Sequence, residues 1–164
     1  FFKCYKMKSN PKGVCLIINN VDFEHKDVFS TRHGSDVDSR RIANLFSTCL
    51  FSVIEKRNLK EKEIVETIEN VKNQFTVNDD CFICVVMSHG GYGGRIYGVD
   101  ANPTQNVLEE NITVETIVKA FNNENCYMLK GKPKLFIINA CRGGKKSICF
   151  CSQNCWKLTN HCLF

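Results

Sequence analysis

Three short stretches carry the residue types that catalysis uses: Ser30-Thr31-Arg32-His33-Gly34, Ser88-His89-Gly90-Gly91 and Asn139-Ala140-Cys141-Arg142-Gly143. A cysteine and a histidine brought together form a dyad, in which the thiolate attacks a carbonyl carbon and the imidazole protonates the departing amine. That chemistry opens a peptide bond. Glycine beside each partner fits, because Gly90 lets its backbone N–H come close to an oxyanion and, with the N–H of Cys141, would form a hole for the tetrahedral intermediate. On residue type alone, Cys141 and His89 fit equally well a thiol at the core's edge and a loop imidazole with no shared role.

A dyad requires separate elements to deliver these stretches to one place. Val14-Cys15-Leu16-Ile17-Ile18 is an apolar run closed by Asn19-Asn20, which reads as a strand buried on both faces and ended by turn residues. Ser35-Asp36-Val37-Asp38 has the form of a capping box, and Val37, Ile42, Ala43, Leu45 and Phe46 supply a helical stripe to about Cys49. Phe51 to Lys56 reads as a second strand, and Glu63 to Phe75 as a helix with Ile64, Ile68, Val71 and Phe75 on one side. Cys81 to Met87 is a third strand, Thr113 to Phe121 a third helix capped by Thr113, and Lys134 to Ile138 a fourth strand. Arg95 to Val99 suggests a small hairpin off the main sheet. Strands alternating with helices predict the α/β class: an open, mostly parallel sheet with helices on both faces. Reactive sites of such sheets lie outside the carboxyl ends of the strands, where all three stretches fall.

The 164 residues, 43% hydrophobic and 24% charged, suffice for one domain. No apolar run approaches the roughly 18 residues of a membrane span, and Phe1-Phe2-Lys3-Cys4 has no leader pattern, so a soluble protein without membrane contact, represented by a fragment, is expected. The net charge of +5 gathers late in the chain, since no acidic residue follows Glu124 and the tail holds Arg142, Lys145, Lys146 and Lys157. This is no nucleic-acid footprint, which would need a Lys/Arg stripe interleaved with aromatics. Eleven cysteines are an odd number, and Cys15, Cys81, Cys84 and Cys126 lie in or beside apolar stretches as small core residues. A reducing, cytoplasmic setting follows. Neither phosphate-loop nor dinucleotide fingerprint follows a strand, and Gly90-Gly91-Tyr92-Gly93-Gly94 reads as backbone closely approached at the dyad. Cys149, Cys151, Cys155, His161 and Cys162 have poor spacing for zinc, and Cys81 and Cys84, three apart in a strand, face opposite sides. No metal and no cofactor are expected.

Ile138-Asn139-Ala140-Cys141-Arg142-Gly143 resembles the nucleophile signature of the caspases, and His89 stands about fifty residues before Cys141, as the family's histidine does. Tyr5-Lys6-Met7, residues 13–20, residues 32–38, Met87-Ser88-His89-Gly90 and residues 131–138 are also similar to a caspase large catalytic subunit, so the resemblance covers about residues 4–143. It implies that Cys141 is the nucleophile, His89 the general acid/base, and Gly90 with Cys141 the oxyanion donors. Arg32 matches the primary-specificity arginine, whose planar guanidinium holds a substrate carboxylate by two parallel hydrogen bonds, so cleavage after Asp is implied. Metacaspases, which cut after Arg or Lys, would need acidic groups there. Ser88 and Asn139 are implied near the substrate, and Ser30 matches a position whose carbonyl orients the histidine ring; His33 reads as a loop residue.

Two departures stand out. Asn139 replaces the glutamine that lines the specificity pocket, one methylene shorter, so weakened recognition of Asp is expected. Residues 144–164 hold no Asp for self-processing and read as a divergent Cys-rich, basic tail following a catalytic part at 1–143, with the small subunit and its second pocket arginine absent. The expected function is a caspase-type cysteine endopeptidase of apoptotic or inflammatory proteolysis, with Asp-containing protein substrates and a small subunit or second caspase chain as partners. Little activity is expected of these residues alone. The alternative is a truncated, incompetent regulator binding a full-length caspase through an open sheet edge.

Overall fold

A computed structural model describes residues 5–102 and 112–141, and the backbone of 148–151. Strands β1 (Gly13–Asn19), β2 (Ser52–Arg57), β3 (Cys81–Met87) and β4 (Lys134–Asn139) are parallel, in the order β2-β1-β3-β4. β1 and β3 are buried at every position, because both faces are covered, which is why their sequences are apolar without alternation. β2 forms the outer edge and carries Glu55, Lys56 and Arg57, charges that discourage a further strand from adding there.

Helices α1 (Ser35–Thr48), α2 (Glu61–Lys72) and α3 (Val114–Ala120) complete the layers. Ile64, Ile68 and Val71 of α2, Val114 and Ile117 of α3, and Phe75 and Phe121 pack on Leu16, Ile18, Phe82, Val86 and Phe136. Ile42, Ala43 and Phe46 of α1 cover the opposite face at Cys15, Ile17, Ile83 and Val85. Cys81 and Cys84 fall into these two different clusters, as three-residue spacing in a strand requires. No described helix is long and apolar enough to cross a membrane.

Several local expectations change. α1 starts at Ser35 without a capping box: its N-cap is Gly34, at φ +86°, and no side-chain cap bond forms. Val37 and Leu45 are 46% and 57% exposed, so the stripe facing the sheet is narrower than the apolar pattern suggested. α2 starts two residues before Glu63, because the Asp100 carboxylate accepts the Glu61 N–H at 2.9 Å while Glu63 accepts the Lys60 N–H at 2.8 Å. In place of a hairpin at 95–99, single antiparallel bridges join Gly90 to Ile96 and Arg95 to Thr113. After β4, a fifth strand β5 (Ile148–Cys151) pairs antiparallel with it. That edge of β4 is therefore occupied, and β5 becomes the outer strand on this side of the sheet.

Candidate active site

The order β2-β1-β3-β4 reverses direction between β1 and β3, and a crevice opens at such a switch point beyond the carboxyl ends. The strand ends there are flush: Asn19 pairs with Met87, and Met87 with Asn139. His89 and Cys141 thus each sit two residues past one register pair, on adjacent strands. Backbone bonds extend the alignment, with Asn20 N–H donating to Met87 O at 2.8 Å and Ser88 N–H to Asn139 O at 3.2 Å.

Gly90 lies between the two loops. A Cβ built on it would stand 2.4 Å from the Cys141 carbonyl oxygen, 2.8 Å from that of Arg95 and 3.0 Å from Ala140 Cβ. Only hydrogen fits, so the glycine permits the His89 loop to close on the Cys141 loop.

His89 is half-buried, and its Nε2 lies 2.8 Å from the Ser30 carbonyl oxygen. A carbonyl only accepts, so Nε2 carries the proton and donates, leaving Nδ1 for chemistry. The Phe23 and Phe29 rings flank the imidazole at centroid distances of 4.8 and 5.3 Å, the latter stacked. Cys141 is exposed in this loop. Cys15, within β1, is different: burial first and Cys81 second push its thiol up to about 12.

Arg32 is half-buried on the β1 loop. Burial lowers its pKa from the ordinary value, while Cys141 and Asp38 act the other way. Arginine stays charged there. Its Nη1 donates to Asn20 O at 3.0 Å and to Ser35 Oγ at 2.9 Å, and among the described residues its Nη2 and Nε have no protein acceptor. Asn139 is exposed at the end of β4, and His33 is exposed. Ser88 departs from expectation: it is 2% exposed and its hydroxyl donates to Tyr97 O at 2.6 Å, so it anchors the loop and presents no side chain to a substrate.

A family model described as Caspase domain matches residues 12–156. The chain belongs to the caspase family. It is 37% identical over 139 residues to caspase-3 of Mesocricetus auratus, covering 85% of this chain and 47% of that protein. It is 37% identical over 148 residues to caspase-9 of Homo sapiens, covering 87% and 34%, and 34% identical over 148 residues to caspase-8 of Mus musculus, covering 86% and 29%. The chain spans less than half the length of these relatives. The family match runs past Gly143 and through β5.

In this caspase chain the His89 loop contacts the Ser30 carbonyl on one side and the Ala140-Cys141 segment on the other. Sequence reasoning missed the residues that hold them. Asn19 and Asn20 read as turn residues, yet both are fully buried. Asn20 donates to Leu59 O and Tyr97 O at 3.1 Å and accepts from Leu59 N–H at 2.8 Å, tying the His89 loop to the sheet. Phe23 and Phe29 had one available signal, two bulky aromatics in a loop rich in polar residues. Among the described residues no cluster of three or more His, Cys, Asp or Glu could hold a metal. The side chains of Cys149, Cys151, Cys155, His161 and Cys162, weighed above for zinc, lie outside the described residues.

Proposed function

We propose that this chain carries the catalytic dyad of a cysteine endopeptidase that cuts protein chains after Asp. The observation that supports the reading is the flush register of β3 and β4, from which His89 and Cys141 each follow two residues later, together with the bond from His89 Nε2 to the Ser30 carbonyl. The Cys141 thiolate attacks the carbonyl carbon of the scissile bond, and the oxygen takes the negative charge between the backbone N–H groups of Gly90 and Cys141. Protonated His89 delivers its Nδ1 proton to the amine as the C–N bond breaks, leaving a thioester on Cys141. Water, losing a proton to Nδ1, then hydrolyses the thioester and restores the thiol.

Specificity rests on Arg32. With Nη1 occupied by the protein, the Nη2–Nε edge is the one left to receive a carboxylate in a paired geometry. The exposed Asn139 amide, at the end of β4 two strands from β1, adds a polar contact to the same P1 side chain. As caspase resemblance implies, the protein works in the cytoplasm, in apoptotic or inflammatory proteolysis, with a small subunit or second caspase chain completing the groove. Activity is proposed of the protein containing these residues.

The test is hydrolysis of peptides that differ only at P1. Cleavage after Asp is expected to be lost in both Cys141→Ala and His89→Ala, with Arg32→Ala abolishing the preference for Asp over Asn. Unimpaired turnover by Cys141→Ala would overturn the dyad.

A further inference from the structure

Ser35 stands where a helix cap was expected, but its hydroxyl points elsewhere. It donates to Asn19 Oδ1 at 2.7 Å and accepts from Arg32 Nη1 at 2.9 Å. Asn19 Nδ2 donates to Asp36 Oδ1 at 2.9 Å, and the Asp36 carboxylate accepts Arg57 Nε at 3.0 Å and Nη2 at 3.1 Å.

The polarity of this chain of bonds has one solution. A carboxylate only accepts, so Asn19 must turn its amide nitrogen toward Asp36 and its oxygen toward Ser35. The Ser35 hydrogen then belongs to that oxygen, and a lone pair is what faces Arg32. Asn19 is 0% and Ser35 6% exposed, so the two central links are closed to solvent. The Arg57 guanidinium holds the Asp36 carboxyl below its usual range, which keeps the starting acceptor charged. At the other end, both hydrogens of Arg32 Nη1 are consumed, one by Ser35 and one by Asn20 O.

We propose that Asp36, Asn19 and Ser35 form a directional relay that positions Arg32, so that its Nη2–Nε edge faces the substrate carboxylate and the relay sets the strength of the preference for Asp. The proposal rests on the reading of Arg32 given under Proposed function. None of the three relay residues touches substrate; each acts through the guanidinium.

The experiment compares P1 Asp with P1 Asn, isosteric and uncharged, in the active protein that contains this chain. Ser35→Ala is expected to raise KM for the Asp peptide about tenfold with kcat within about twofold, and to lower the Asp-over-Asn preference about tenfold. Ser35→Thr, which keeps the hydroxyl, restores both. Asp36→Asn, which lets the Asn19 amide turn over, lowers the preference about threefold. A merely structural Ser35 would lower the melting temperature of Ser35→Ala while leaving KM and the preference unchanged, and that result overturns the relay. Should Ser35→Ala not fold, Asp36→Asn decides alone, its side chain being 45% exposed. Arg32→Ala separates the two readings: if it keeps the Asp preference, the functional assignment of Arg32 fails and takes the relay with it. If it loses the preference while Ser35→Ala is silent, only the relay fails.

Discussion

Cys141 and the cysteines of β1 and β3 are the same residue in opposite situations. Cys15 and Cys84 are 0% exposed, inside strands covered on both faces. For Cys84, as for Cys15, burial pushes the thiol up, so at neutral pH both are uncharged apolar groups. Cys141 lies two residues beyond the end of β4 and is exposed. Two residues past a strand end thus separate a packing atom from a thiol open to solvent. What makes the difference is position along the chain relative to the sheet's edge, since the strand cannot admit water and the loop cannot exclude it.

The widest expected gap between the two thiols is in turnover. Cys141→Ala should reduce hydrolysis of an Asp peptide at least about a thousandfold, whereas Cys84→Ala should leave it within about twofold and instead cost about 1–2 kcal/mol of stability in denaturant titration. Equal effects on activity would erase the distinction. Gly90→Ala comes next. Its Cβ, 2.4 Å from the Cys141 carbonyl oxygen, forces the two loops apart, and about a hundredfold loss in kcat/KM is expected with Cys141 itself untouched. Phe29→Ala removes the ring stacked on His89 and should cost about tenfold in kcat/KM, read against the melting temperature.

Chemical labelling sharpens the comparison without mutation. In the native protein iodoacetamide should modify the exposed Cys141 and Cys49 and leave Cys15 and Cys84 intact by mass spectrometry. The smallest effect is alkaline. Burial pushes the Cys15 thiol from 9.0, its value in the unfolded chain, up to about 12 in the folded protein. The unfolded chain therefore loses its proton first, and the stability present below pH 9.0 is progressively lost as pH rises toward about 12. Cys15→Ala should flatten that decline in urea titrations across the same window; an unchanged slope would assign it to other groups.

Where burial is continuous, the strands were legible. β1 and β3 were readable because residues packed on both faces must be apolar at every position, and α2 because Ile64, Ile68, Val71 and Phe75 face one core. The start of α2 was not, since its cap, Asp100, comes from a distant loop. β5 escaped notice because a four-residue edge strand in a Cys-rich basic segment has no periodic signature. At the candidate site, Cys141, His89 and Arg32 stand out by type and by position after strands. Asn19 and Ser35 could not, because a polar residue's local pattern suggests a turn or a cap whether its partner is the nearby backbone or a side chain brought in by the fold.

The flush ends of β1, β3 and β4 make the geometry of the site discrete. Neighbouring strands are fixed about 4.8 Å apart, and pairing can shift only by whole residues, each step moving a chain about 3.3 Å and turning its side chains to the other face. No continuous deformation of the sheet brings His89 and Cys141 gradually out of line: the register is held or it is lost. Loops beyond the edge are free to lengthen or change sequence while the points at which the chain leaves the sheet stay put, so substrate preference can drift across such a scaffold without retuning the distance between thiol and imidazole.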